Sequence, residues 1–221
     1  MKTDIIIYGK GDFAKLMLYY FNIDSGYNVV AFCVDKLYLD DETFCNLPLI
    51  SFEDIETKYS PDKFKAFVAI GYSNMRSRKI MFDKIKSKNY ECVNYISSKA
   101  IIDRNVIIGE NNVILENTVI EPFVKVENNN IIWSSCNICH DVTLGSHNFV
   151  AAQSLIGGFS RIKDNSFIGF NSTIIQSIII ENETLIGAKS LVMSNTKSYE
   201  KYLGNPAKYV SSHKNVGIKI S

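Results

Sequence analysis

Stepping by six residues from Ile102 meets an aliphatic side chain every time. The run is Ile102, Ile108, Ile114, Ile120, Val126, Ile132, Ile138, Leu144, Val150, Ile156, Ile162, Ile168, Ile174, Ile180, Ile186 and Val192. A period of six fits neither an amphipathic helix nor an alternating strand. It fits a short strand plus a corner, repeated three times to close a triangular coil of eighteen residues. Each inward aliphatic then stacks on the one a coil later, at a sheet spacing of roughly 4.8 Å. The residue four places on is mostly small or short, from Val106 and Asn112 to Ser172 and Ser190. The residue directly after the aliphatic is glycine at Gly109, Gly145, Gly157, Gly169 and Gly187, as expected if these are tight corners. No insertion interrupts the run, so residues 97–195 are expected to form one unbroken β-helical prism.

Residues 1–96 have a different grammar. Asp4–Tyr8, Tyr27–Val34, Phe67–Ile70 and Tyr90–Tyr95 read as strands. Helical spacing over Ala14–Phe21 and a polar helix around Asn74–Lys88 alternate with them. That order predicts a small α/β, Rossmann-like domain with a parallel sheet. Residues 196–221 read as a short C-terminal tail whose end, Ser211–Ser221, is expected to fray. With 24 basic and 23 acidic residues the formal charge is +1, which offers no basic surface for nucleic acid or an anionic membrane. The opening apolar run is too short for a signal peptide, and no stretch approaches the ~18 apolar residues of a membrane span. The expectation is a cytoplasmic, reduced protein. Cys136 and Cys139 form a lone C-x-x-C inside the repeat, with no second pair to complete a zinc site. They read as structural filling, with no metal.

Polar exceptions to the apolar pattern are the candidates for chemistry. His213 reads as an exposed tail residue, and His147 as a solvated corner. His140 lies two residues after the inward Ile138, at a corner, with Asp141 next. Adding eighteen gives Gly158, so a histidine and the pair Gly157-Gly158 occupy neighbouring rungs of one edge. A base and a bare backbone N–H one rung apart can both reach a thioester carbonyl. The spacing leaves the alternative of a corner histidine with no task equally open. A second column, Ala151, Gly169 and Gly187, reads as a groove for a long flexible ligand arm, although corners favour glycine in any case. Gly9-Lys10-Gly11 follows a strand and opens a helix, where N–H groups can hold phosphate. Asp35 ends the second strand, where a dinucleotide fold binds ribose. An NAD site is rejected because the sheet is about half the size that fold needs. Gly71, Asn74 and Arg76, after the third strand, are further candidates, and Arg76 reads equally well as a solvated helix residue.

Together, Ile-Ile-Ile-Tyr-Gly-Lys-Gly11, Phe-Cys-Val-Asp35, Ala-Ile-Gly71, the hexad run, His140-Asp141 and Gly-Asn-Pro-Ala-Lys208 resemble the sialic-acid-O-acetyltransferase-like sugar acyltransferases. This family includes N-acyltransferases acting on nucleotide-linked amino-deoxy sugars. The resemblance covers nearly the whole chain. It implies a left-handed parallel β-helix, a homotrimer with sites between subunits, and acetyl-CoA or another acyl-CoA as co-substrate. It also implies a base at His140, a partner carboxylate at Asp141 and an oxyanion donor at Gly158. Acyl-CoA would lie along Ala151, Gly157, Gly169 and Gly187, reaching Ala188, Lys189, Pro206 and Lys208. The sugar nucleotide would meet Gly9, Lys10, Gly11, Asp35, Lys36, Gly71, Asn74 and Arg76. This chain carries Asp12-Phe13 where many members have Gly-His. The stretch Ile132–His140, with Trp133, is similar to members that take dTDP-linked amino sugars, some with acyl groups larger than acetyl, such as 3-hydroxybutyryl. The implied role is surface polysaccharide synthesis. O-acetylation of sialic acid or a related glycan, and a non-catalytic β-helix scaffold, are the competing expectations.

Overall fold

The computed structural model describes residues 2–220. Internal contacts divide the chain into a first unit, running up to Gly71 and including Ile80–Tyr95, and a second of Tyr72–Lys79 with the chain from Ile96 onward. The segment 72–79, expected in the first domain, thus groups with the prism, as does the C-terminal tail.

In the first unit, β1 (Thr3–Tyr8), β2 (Tyr27–Val34), β3 (Thr43–Phe44), β4 (Leu47–Ser51) and β5 (Lys65–Val68) form one sheet in the order β3-β4-β2-β1-β5. The inner pairs are parallel, and β3 and β4 make an antiparallel hairpin. Its two turn residues, Cys45 and Asn46, both have positive φ, which matches the right-handed twist of the flanking strands. This hairpin was not among the expected strands. Conversely, the expected strand Tyr90–Tyr95 joins this sheet only through a single parallel bridge, Cys92 to Ala66, and its last residue opens the short strand Tyr95–Ile96. Helix α1 (Asp12–Ile23) buries Ala14, Met17 and Phe21, one stripe at helical spacing. After the short helix α2 (Ile55–Lys58), α3 (Met75–Ser87) opens with Asn74 Oδ1 accepting the Ser77 N–H.

In the second unit, sixteen two-residue strands run from Ile101–Ile102 to Leu191–Val192. Each pairs in parallel with the strand eighteen residues away, as Ile138 does with Ile120 and Ile156. The second residue of every strand is the predicted aliphatic, and from Ile114 to Val192 these are at most 2% exposed. Ile102 and Ile108 are only partly buried, since no earlier coil lies beneath them.

The turn chemistry differs from the expectation. From Ile108 to Ile186, positive φ falls on the third residue after each inward aliphatic, for example Asn111, Asp141, Phe159 and Lys189. The glycines directly after the aliphatics have no positive φ. They answer a different need: a Cβ on Gly157 would lie 2.5 Å from Gln176 N, and one on Gly169 would lie 2.5 Å from Ala188 N. Close approach of the next coil excludes a side chain there.

Behind the corners runs a ladder of buried amides and hydroxyls. Asn112 Oδ1 accepts the Asn130 N–H, Asn130 Oδ1 the Asn148 N–H, and Asn148 Oδ1 the Ser166 N–H, at 2.7–2.9 Å. These contacts satisfy corner N–H groups that the strand ladder leaves over.

The tail is ordered. Glu200–Leu203 adds in parallel to Leu185–Ile186, and Lys208–Ser212 returns antiparallel. Ile218 is 1% exposed and its carbonyl accepts the Met75 N–H. Fraying is therefore not observed up to residue 220. Among the described residues no helix is long and apolar enough to cross a membrane.

Truncating one member of the inner stack should be costly because the coils above and below cannot close on it. We predict that Ile168→Ala lowers the unfolding free energy by about 2–5 kcal/mol in urea titration.

Candidate active site

The eighteen-residue register sorts the corners into three edges. One carries Phe123, Asp141, Phe159 and Ser177 at its positive-φ positions; another Asn117, Ser135, Gln153, Asn171 and Lys189; the third Asn111, Asn129, His147, Asn165 and Glu183.

On the first edge the predicted constellation is assembled. The His140 side chain is half-exposed, and its Nδ1 lies 3.0 Å from Asp141 Oδ2. An ionised carboxylate only accepts, so Nδ1 carries the proton and Nε2 presents its lone pair. Gly158 follows one rung on. A Cβ there would sit 2.9 Å from His140 Cε1 and 3.0 Å from Nε2, so the imidazole rim occupies the space that glycine leaves. The flanking N–H groups are committed: Gly157 donates to Ile174 O and Phe159 to His140 O. The Gly158 N–H has no acceptor among the described residues. His140's own N–H is taken by Glu121 Oε2 at 2.8 Å. One edge thus presents a basic nitrogen and one uncommitted N–H side by side. Such a pair can remove a proton and stabilise an oxyanion.

Two neighbours of this pair escaped the sequence reading, Glu121 and Phe159. The Phe159 ring meets the imidazole edge-on, with centroids 5.0 Å apart and planes at 85°. The period held the signal for both, since they flank the rungs of His140.

The other histidines depart from expectation. His147 is 6% exposed, and its Nδ1 is 2.9 Å from Asn129 Nδ2. Asn129 also accepts from Asn111 and exchanges bonds with the buried Arg78, whose guanidinium donates to the Asn129 carbonyl. Arg78 docks on Asn129, and Asn129 and His147 are both buried. His213 is half-buried, and its Nε2 lies 2.7 Å from Glu183 O. Trp133 stacks at 5.8 Å on Phe149, in an aromatic row with Phe167 and Tyr72.

The column Ala151, Gly169, Gly187 is filled. Ala151 is fully buried, Gly169 abuts the next coil, and Leu203 occupies the space beside Gly187. Packing accounts for these small residues, and the column itself is no open groove. Ala188, Lys189, Pro206 and Lys208 are exposed, and the Ala207 N–H ties their segment to Leu191 O at 2.7 Å.

In the first unit, Gly9 has φ +131, and a Cβ there would meet Ala69 O at 2.8 Å, so the loop after β1 requires glycine. Gly11 caps α1 without a side-chain bond. Asp35 is held by the Tyr8 hydroxyl and by Lys84 at 2.6 Å, two partners the sequence did not suggest. Burial and the Asp35 carboxylate keep the Tyr8 phenol protonated, far above its ordinary range. Lys10 pairs with Asp40, and the Lys36 N–H donates to Glu53. Gly71 lies just beyond the last strand of the sheet, with Phe13 Cβ as the nearest neighbour to its missing side chain. Asn74 is spent on capping α3. Arg76, though partly exposed, is not free: it forms a two-bond pair with Glu183 at 2.7 and 3.0 Å and donates to Lys214 O.

Residues 4–85 match the model of the PglD N-terminal domain. After the matched residues the chain forms a left-handed β-helix, and solved acetyltransferases share this fold over nearly the whole chain. The acetyltransferase domain of PglB from Neisseria gonorrhoeae matches with a TM-score of 0.83 at 20% identity, covering 95% of this chain and 100% of that one. PerB from Caulobacter crescentus, solved with CoA and GDP-perosamine, matches with 0.83 at 22%, covering 94% and 97%. WeeI from Acinetobacter baumannii matches with 0.79 at 22%, covering 94% and 100%. At these identities the likeness establishes the fold. No curated protein matches the chain in sequence.

The C-x-x-C is split by the prism wall. Cys136 points into the core, where burial pushes its thiol up to about 11, and Cys139 faces outward beside Glu121. Among the described residues no group of three or more His, Cys, Asp or Glu is placed to hold a metal. Native-state alkylation at pH 8 should spare Cys136 and the fully buried Cys33, both reacting only after unfolding; peptide mass mapping checks this.

Proposed function

We propose that the chain transfers an acyl group from acyl-CoA to the amine of a nucleotide-linked amino-deoxy sugar. The observation that carries this reading is the His140 Nε2, fixed in its tautomer by Asp141, beside the uncommitted N–H of Gly158. The neutral sugar amine attacks the thioester carbonyl, forming the C–N bond. The Gly158 N–H donates to the tetrahedral oxyanion, and His140 Nε2 takes the amine proton. Collapse breaks the C–S bond, and the imidazolium returns the proton to the departing CoA thiolate. Asp141 stabilises that imidazolium through Nδ1.

Like folds support the substrate classes: PerB was solved with CoA and GDP-perosamine, and a PglB acetyltransferase domain with acetyl coenzyme A. In this reading acyl-CoA contacts the exposed Ala188, Lys189, Pro206 and Lys208, with Gly157, Ala151, Gly169 and Gly187 shaping the wall beneath. The nucleotide sits at Gly9, Lys10, Gly11, Asp35, Lys36 and Gly71. Asn74 and Arg76 act through packing, since both are already engaged. The reading includes a homotrimer, which would cover the exposed Ile101, Ile107 and Leu155 on the outer prism faces. The acyl group is acetyl or larger, and the product serves surface polysaccharide synthesis.

The test is mass spectrometry of products from dTDP-, UDP- and GDP-amino sugars, each offered with several acyl-CoAs. N-acylated sugar nucleotide is expected with at least one pair. Acylation of free or polymeric sialic acid in its place would favour glycan O-acetylation. Because the His140 side chain is half-exposed, His140→Ala should fold normally and lose about 10²–10⁴ in kcat. Near-full turnover at pH 7–8 would remove the base assignment.

A further inference from the structure

Phe159 is an anomaly that the acyl-transfer mechanism does not use. Its φ is +62°, a left-handed conformation that suits asparagine and glycine and is sterically poor for a bulky aromatic residue. Five of the corresponding corner positions in this prism hold asparagine: Asn111, Asn117, Asn129, Asn165 and Asn171. Phe159 also leaves 57% of its surface in water, so burial does not offset the strain. Its backbone bond to the carbonyl one coil earlier is made equally by Gln153, to Ser134 O, so that bond needs no phenylalanine. What the side chain adds is its contact with the His140 imidazole, immediately after the Gly158 N–H. Strained residues that the fold does not require concentrate where function requires them.

We propose that Phe159 is a positioning residue for His140. The inference rests on the acyl-transfer reading above. Asp141 holds one edge of the ring through Nδ1, but a half-exposed imidazole with one tether still turns about χ2, a broad torsion. The Phe159 ring, meeting it nearly at right angles, closes off that rotation and keeps Nε2 beside the Gly158 N–H. It also displaces water from one side of the nitrogen that must take the substrate proton. Fold stability is given up locally in exchange for a pre-set base.

The experiment compares wild type with Phe159→Asn, Phe159→Tyr, Phe123→Asn and His140→Ala. Phe123, at φ +65° on the same edge and 62% exposed, is the control for relieving strain without touching the imidazole contact. Both asparagine variants should raise Tm by about 2–4 °C. Phe159→Asn should lower kcat about tenfold with both KM values within about twofold. It should also move the ring C–H resonances of His140, while those of His147 and His213 stay in place. Phe159→Tyr should restore kcat, and Phe123→Asn should leave it within about twofold. An unchanged kcat and unchanged His140 resonances in Phe159→Asn would overturn the proposal. So would a loss seen only in KM, or one accompanied by a changed oligomeric mass, which would make Phe159 a binding or interface residue. Full turnover in His140→Ala would overturn the base reading and this inference with it. A His140→Ala loss alongside an unaffected Phe159→Asn would overturn this inference alone.

Discussion

Coil-on-coil pairing governs this molecule. Every strand of the prism is two residues long, far too short to persist alone, and is stable only because parallel neighbours eighteen residues away pair with it, on both sides for all but the end coils. The inward aliphatics make that pairing favourable by stacking in a dry column, and many corner N–H groups are satisfied by side chains of adjacent coils. Nothing in such an arrangement can shift by one residue without turning a core side chain into solvent. The consequence for function is positional. A residue on one edge has its neighbours fixed at about eighteen residues before and after, so His140 must meet Glu121 on one side and Gly158 with Phe159 on the other.

The same constraint gives the three edges separate tasks. All use positive φ at one position per corner, at a cost for ordinary side chains of about 1–2 kcal/mol that asparagine largely avoids. The edge built around Asn111, Asn129 and His147 is buried, with Arg78 docked on Asn129, and serves packing. The edge of Lys189 adjoins the returning tail, with Ala207 bonded to Leu191. The edge of Asp141 keeps its histidine in water and accepts two phenylalanines where the backbone would prefer asparagine. Strain and exposure coincide there with the uncommitted Gly158 N–H.

Legibility in the sequence followed the range of the interactions. The prism was readable because its inner column is uniform and its period short, and the period alone placed His140 beside Gly158. The reason for its glycines was not, since φ and close approach both select glycine and only coordinates separate them. His147 read as solvated because Arg78, which docks on its neighbour Asn129, is distant in sequence. Arg76 and Glu183, separated by 107 positions, gave no local sign of pairing. The end of the tail reads as fraying for the same reason: Glu200–Leu203 pairs with Leu185–Ile186 and the chain end with the start of α3, both non-local choices. In the first unit the hairpin around Cys45-Asn46 was missed because a two-residue strand carries almost no periodicity.

The central claim is that the register of the prism builds the reacting pair. The most direct measurement is a crystal structure with CoA and an unreacted nucleotide-linked amino sugar. The account predicts the sugar amine within about 2.6–3.2 Å of His140 Nε2, with the CoA sulfur beside the Gly158 N–H. An amine or thiol bound at another edge, with His140 and Gly158 facing solvent, would contradict it.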